Sequence, residues 1–503
     1  MAVFMLSPGK LDLVDLRRIL RQADSLGLPD SCRSAMDNSV KIVERIVESG
    51  KIVYGVNTGF GKLAQKKIPQ YQVEKLQENL VLSHATGTGP LLDDSIVRLM
   101  MVLKVNALAQ GHSGIRAEIV QALLALLNAE IYPCVPAKGS VGASGDLAPL
   151  AHMSAVLLGH GQVRCGGKIL PAAEGLAKAG LKPLRLGPKE GLALLNGTQL
   201  STALALAGFF AVQDVFAAAV VAGAMTLEAC KGSVAPFQEE LQRVRGQPGQ
   251  IAVAARLRAL LQGSAILESH HNCGKVQDPY CLRCMPQVMG SCHDFMIFAG
   301  SVLEREANAV SDNPLVFSDP DRVMSGGNFH AEPVAMAADT LAVVIAEIGS
   351  ISERRIAMIV DTQQSGLPPF LVKDAGVNSG FMIAHVTAAA LTSENKQMSF
   401  PACVDSIPTS ANQEDHVSMA AHGARRLIDM ADNAKAIVAI ELLAATQGMD
   451  FHHPLRSSAV LEDAHDKIRA VVPFYEQDRF FAPDIEAVKT LVGSGVFLAA
   501  GWP

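Results

Sequence analysis

The sequence predicts a mainly α-helical protein: an N-terminal helical part rich in loops, followed by a bundle of long helices. Three observations predict it. Apolar residues recur at three- and four-residue spacing through residues 74–84, 95–110, 116–129, 200–227, 335–359 and 417–445. Convincing alternating runs, the mark of strands, are few. Hydrophobic residues make up 49% of the 503 residues and charged residues only 18%, a balance that calls for extensive burial within or between chains.

From the N-terminus, residues 1–12 show no basic region leading into a long apolar run and a small-residue cleavage site. No secretory signal is expected, so the nine cysteines are read as free thiols of a cytoplasmic protein. Glycine-rich stretches at 54–61, 86–90, 138–146, 326–327 and 379–380 interrupt the helices and are expected as loops. Loops on a rigid scaffold carry function more often than the scaffold does. A strand pair is expected over 162–170, with Gly166-Gly167 as its tight turn. Residues 200–227 are the most apolar stretch, but Gln213 and Asp214 sit in its middle. Two polar groups there favour a core helix over a membrane span. A soft division near residue 200 separates an N-terminal part, 1–200, from the long-helix part, 201–503. The net charge of −6 is spread without a basic block, so neither nucleic acid nor a membrane is an expected partner.

The segment Gly139-Ser-Val-Gly-Ala-Ser-Gly-Asp-Leu-Ala-Pro-Leu-Ala-His152 is the most informative. Its plain reading is a flexible loop entering a helix, with Asp146 near the N-cap and Pro149 in the first turn. A sharper reading is chemical. If the Gly145 nitrogen is pressed against the Ala143 carbonyl carbon, a five-membered ring can close. Loss of water from the ring and from the Ser144 side chain then leaves a conjugated imidazolone with an exocyclic methylene. Glycine suits the nitrogen position because it tolerates unusual dihedrals, and alanine is too small to block closure.

This loop resembles the signature of the aromatic amino acid ammonia-lyase family. So do Tyr54-Gly-Val-Asn-Thr-Gly-Phe-Gly61, Leu194-Leu-Asn-Gly-Thr198, Val276-Gln-Asp-Pro-Tyr-Cys-Leu-Arg283, Ser311-Asp-Asn-Pro314, Gly326-Gly-Asn-Phe-His330 and Thr409-Ser-Ala-Asn-Gln-Glu414. The blocks stand in the family's order from about residue 50 to 450. The resemblance implies a 4-methylideneimidazol-5-one (MIO) group formed autocatalytically from Ala143, Ser144 and Gly145, with no metal or dissociable cofactor. It also implies a homotetramer with sites shared between subunits, and no inserted shielding domain of the plant and fungal kind.

An ammonia-lyase must improve a poor leaving group and remove a weakly acidic β-proton. The methylidene carbon on Ser144 answers the first need by capturing the amine. By resemblance Tyr54 is the base for the second, which requires a phenol well below its ordinary value near 10. Arg283 is the implied carboxylate clamp, a role its forked guanidinium suits. The resemblance makes Asn196, Gln277, Tyr280 and Asn313 the polar lining, with Tyr280 also counted among the catalytic residues. Phe329 is the implied aromatic wall and Asp146 a helper in ring closure.

Three residues point to histidine as substrate and urocanate as product. His84 falls where family members acting on histidine carry His, although those acting on tyrosine do as well. Glu414, also counted among the catalytic residues, offers a carboxylate that an imidazole could use and a phenyl ring could not. Met382 matches the packing residue of the histidine-specific members. Ser399-Phe400-Pro401-Ala402, Cys281, Met285 and His385 depart from their usual wording. A lyase or aminomutase acting on tyrosine, phenylalanine or a modified imidazole amino acid stays open on the sequence. So does a catalytically silent helical assembly.

A cluster of His270, His271, Cys273, Cys281, Cys284, Cys292 and His293 suggests a metal site at first sight. There is no second Cys-x-x-Cys at finger spacing, and Arg283 lies inside the pair in a block that substrate binding already explains. No metal is expected.

Overall fold

The computed structural model describes residues 3–270 and 276–501. Helices dominate, and the six sequence-read stretches appear as Val73–His84, Asp94–Leu108, Ala117–Asn128, Gln199–Ala229, Glu332–Val360 and Ala420–Asp450. The chain forms two compact units, each assembled from separated segments. The first comprises Met1–Ala207, Gly300–Asp339 and Pro401–Arg426; the second comprises Gly208–Ala299, Thr340–Phe400 and Leu427–Pro503. The boundaries at 207, 299, 339 and 426 fall inside helices.

In the first unit, Asp94–Leu108 is buried on every face from Ile96 onward. Around it lie small sheets. Gln162–Cys165 and Lys168–Pro171 pair antiparallel as expected, and Ile131–Pro133 adds a third strand. Gly166 and Gly167, at φ +55° and +76°, make the two-residue turn whose twist suits a hairpin. The stretch at 86–90 corrects the loop expectation: Thr88–Leu91 pairs with Pro136–Lys138 as a strand.

Two helices, Gln199–Ala229 and Glu332–Val360, are long and apolar enough to cross a membrane. In each, most of the apolar window (83% and 67%) is buried inside the protein, so packing accounts for the composition.

The second unit holds polar groups at its centre. The Arg355 guanidinium lies fully buried against the Glu441 carboxylate, which also accepts from the Thr226 and Ser352 hydroxyls. Such satisfaction is what makes a buried ion pair tolerable. Glu228 is less well served. Ser264 Oγ donates to its Oε2 at 2.7 Å, while Oε1 is buried without a hydrogen bond. Burial therefore pushes its carboxyl from 4.5 up to about 7. A folded-state value above the unfolded one favours the fold while the carboxyl keeps its proton. That contribution is complete below about 4.5 and is lost as pH rises to about 7. Glu228→Gln is expected to stabilise the fold at pH 8 by on the order of 2 kcal/mol and to change little at pH 4. Thermal melts at the two pH values test this; equal shifts at both would refute it.

The cysteine and histidine cluster belongs to this second unit, with His271 and Cys273 outside the described residues. Cys281 Sγ lies 3.7 Å from Met358 Sδ, and burial drives the Cys292 thiol up to about 12. Among the described residues, the side chains grouped closely enough to hold a metal ion lie elsewhere, at His330, Glu332 and His416 and at Asp450, His453 and His465.

Candidate functional site

A cavity of about 1530 Å³ opens in the first unit. Tyr54, His84, Ala143, Ser144, Asn196, Asn313, Phe329 and Glu414 all line it. Six of the seven sequence blocks thus converge on one space, although they lie up to 360 residues apart; the Val276–Arg283 block does not line it.

The 139–146 loop is held from several directions. Ala331 N–H donates to Gly142 O at 3.1 Å, and Met419 N–H donates to Val141 O at 2.9 Å. Gly142 takes φ +67°, and a Cβ there would lie 2.3 Å from Ser418 Oγ. Gly145 is tighter still. It takes φ +73°, and an added Cβ would lie 2.2 Å from the Gly197 carbonyl oxygen. Gly145→Ala is therefore expected to destabilise the chain by about 2 kcal/mol or more, since strain and clash act together. A chemical denaturation curve unchanged from the parent would contradict that close approach.

Asp146 does not cap the following helix, Leu147–Leu157, with its side chain. Its carboxylate turns inward and accepts from Ser140 Oγ at 2.8 Å, Ser201 N–H at 2.7 Å and Ser201 Oγ at 2.9 Å. Its own N–H donates to Gly197 O at 2.7 Å. Full burial raises the Asp146 carboxyl above its ordinary range, and these donors oppose the rise.

Ser144 is bound at two atoms. Its carbonyl accepts from Asn196 Nδ2 at 2.9 Å, and its hydroxyl donates to Glu414 Oε1 at 2.7 Å. The other Glu414 oxygen accepts from Thr409 Oγ1 at 2.5 Å. Left-handed backbone at Ser410, Ala411 and Asn412 turns the chain so that Glu414 faces the serine.

Tyr54 Oη receives a 3.4 Å hydrogen bond from Gly61 N–H. Burial raises its phenol, the Gly61 contact lowers it, and the nearby Glu414 charge raises it again. The net direction in the single chain is upward, opposite to what a base at neutral pH requires. His84 ends the helix Val73–His84 and is lowered by burial, so its ring favours the neutral form. Asn313 Oδ1 is occupied by Gly326 N–H at 2.8 Å, which ties it to the glycine pair beside Phe329.

Gln277, Tyr280, Arg283 and Met382 are not among the cavity's lining residues. They lie in the second unit, where Arg283 Nη1 donates to Gln277 Oε1 and its guanidinium sits 4.6 Å above the Tyr280 ring. Tyr280 is 70% exposed and Met382 is 38% exposed.

Sequence reasoning passed over Ser140 and Ser201, which hold Asp146, and Lys104, whose Nζ donates to Asn196 O at 2.6 Å. A signal existed for Lys104: it is a charged residue amid the apolar run Met100-Met-Val-Leu-Lys-Val105. The two serines carry no such signal, because serine is common in loops and at helix starts.

The aromatic amino acid lyase profile matches residues 11–470. A histidine ammonia-lyase of Vibrio cholerae is 59% identical over 489 residues, covering 97% of this chain and 96% of that protein. Among solved structures, histidine ammonia-lyase from Trypanosoma cruzi superposes with a TM-score of 0.93 at 40% identity, covering 100% of this chain and 96% of that one. Tyrosine aminomutase from Streptomyces globisporus also superposes with a TM-score of 0.93, at 34% identity, covering 98% of this chain and 97% of that one. A match over nearly the whole length, at 59% identity to a relative covered almost end to end, shows that the chain belongs to the aromatic amino acid lyase family.

Proposed function

We propose that this chain eliminates ammonia from L-histidine to give trans-urocanate. The observation that carries the reading is the Glu414 carboxylate, bound to Ser144 Oγ inside a cavity that also holds His84, in a chain 59% identical to a histidine ammonia-lyase. A carboxylate beside a neutral histidine suits an imidazole, which can donate and accept, whereas a phenyl ring can do neither.

The reading includes an MIO group formed from Ala143, Ser144 and Gly145. Two observations support the fit. Gly145 has no space for a side chain against Gly197 O, so the backbones are already in close approach. The Asn196 carboxamide reaches Ser144 O, and its Oδ1 is buried without a hydrogen-bond partner. When formed, the group supplies an electrophilic carbon for the substrate's amine. The chain's own residues do the rest. Asn196 Nδ2 donates where charge gathers on the carbonyl oxygen, the kind of contact that favours a transition state. Asp146, raised by burial, is suited to accept a proton during ring closure. Phe329 walls the cavity and Asn313 holds the adjoining loop.

Tyr54 takes the β-proton in this reading. Its upward direction in the single chain means that the working site must bring positive charge near Oη. Assembly answers that need: the chain forms a homotetramer, and Gln277, Tyr280, Arg283 and Met382 enter each site from neighbouring copies. Exposed apolar side chains such as Phe295, Ile297, Ile383 and Val386 support such contacts. The compartment in this reading is the cytoplasm, in keeping with eight described cysteines that are free thiols.

The test is the ultraviolet spectrum of the purified protein with L-histidine over time, with ammonia assayed in parallel. Growth of a urocanate-like absorbance with equal ammonia is expected. A protein that bears the prosthetic-group absorbance yet leaves histidine unchanged would overturn the substrate assignment. Release of a β-amino acid from tyrosine instead would favour the aminomutase chemistry named for the Streptomyces globisporus relative.

A further inference from the structure

Lys104 sits on Asp94–Leu108, a helix whose residues are buried from Ile96 to Leu108. It is 1% exposed. An ammonium is among the costliest groups to place there, and burial pulls Lys104 down to about 7. Asp312 and Asp146 favour its charge, while Lys189 opposes it. Lys189 has its own partner, with Nζ 2.7 Å from Asp312 Oδ2. Lys104 is directed elsewhere. Its Nζ donates to the backbone carbonyl of Asn196 at 2.6 Å.

That carbonyl closes the helix Glu190–Leu195, whose C-cap is Asn196. Helix ends leave carbonyls without intrahelical partners, and a cation is a favourable partner for them. Asn196 and Gly197 form the surface against which the reactive loop lies. Asn196 Nδ2 holds Ser144 O at 2.9 Å, Gly197 O accepts Asp146 N–H at 2.7 Å, and Gly145 bridges Gly197. Both flanks of Gly145 are thus gripped by two consecutive residues, and the first of those residues is fixed by Lys104.

We propose that Lys104 is a positioning residue for formation of the prosthetic group: its buried amino group anchors the Asn196-Gly197 segment that presses Gly145 towards Ala143. The inference rests on the functional reading above, because it presumes that the loop closes. It also has an electronic component. A donor on the Asn196 carbonyl polarises the Asn196–Gly197 peptide. A methionine in place of Lys104 would fill the space and leave the carbonyl unpaired.

The experiment uses the full-length enzyme and weighs the loop peptide by mass spectrometry, since a closed ring is lighter by two waters. Parent, Lys104→Met and Lys104→Arg are compared, with melting curves and oligomeric state as controls. The parent loop is expected closed. Lys104→Met is expected to fold, with closure falling at least ~10-fold, and Lys104→Arg to regain more than half, because arginine keeps a charged donor. A merely structural role would lower the melting temperature and leave the mass unchanged. Should Lys104→Met not fold, Lys104→Gln is weighed instead: an open loop supports the proposal and complete closure overturns it. A closed loop in folded Lys104→Met overturns it while leaving the function standing. An unclosed loop in the parent overturns the cofactor reading, and this proposal with it.

Discussion

Ser144→Ala is expected to lower kcat for histidine at least ~10³-fold, about 4 kcal/mol of transition-state stabilisation. The reason is chemical. Alanine has no hydroxyl to expel, so no exocyclic electrophile can form at that position. The fold should tolerate the change, because the carbonyl contact from Asn196 Nδ2 and the neighbouring Gly145 and Asp146 contacts are made by backbone or other side chains. Relative to the unclosed loop, only the hydrogen bond from Ser144 Oγ to Glu414 Oε1 is lost. A steady-state assay with a melting curve checks this. A variant of parental stability that still turned over histidine at more than a tenth of the parent rate would remove Ser144 from the chemistry.

The second large effect is one of selectivity. Glu414→Gln is expected to cut kcat/KM for histidine about 10²-fold, on the scale of a charge-assisted hydrogen bond worth 1.5–3 kcal/mol. Residual turnover of phenylalanine should change by no more than about 3-fold, because a phenyl ring makes no hydrogen bond with the carboxylate. Glu414 also touches Ser144 Oγ, so the loop-peptide mass must be confirmed as closed before the ratio is read. Equal losses on both substrates, with a closed loop, would assign Glu414 to the common chemistry and not to recognition of imidazole.

Much of the site was legible because its chemistry needs rare residue combinations. Ala143-Ser144-Gly145 is legible through its resemblance to a family signature, and Gly145 has no room for a Cβ, which would meet Gly197 O. Six helices were legible from apolar spacing, with ends within five residues of those observed, whereas Ser31–Ser49, Met285–Ala307 and Met382–Met398 were not read. The hairpin at Gly166-Gly167 was legible because both positions require positive φ.

Other features have no local signature. The residues at 86–90 read as a loop because glycine and proline break local patterns. Pairing with Pro136–Lys138 made part of that stretch a strand, and the partner is far away in sequence. Asp146 had the spacing of a cap, yet its side chain is drawn inward by Ser140 and Ser201, contacts that exist only once the loop is folded. The direction of the Tyr54 shift comes from burial and from Glu414, a residue 360 positions away.

The sequence by itself determined the helical class, because helix periodicity is written in short stretches, and by resemblance it marked the 139–146 loop and the residues proposed to serve it. Only the tertiary structure decided which of those residues share a cavity, which way each titrating group is pushed, and that a buried lysine stands behind the loop. Those depend on distance and dielectric, which are set by packing between segments hundreds of residues apart.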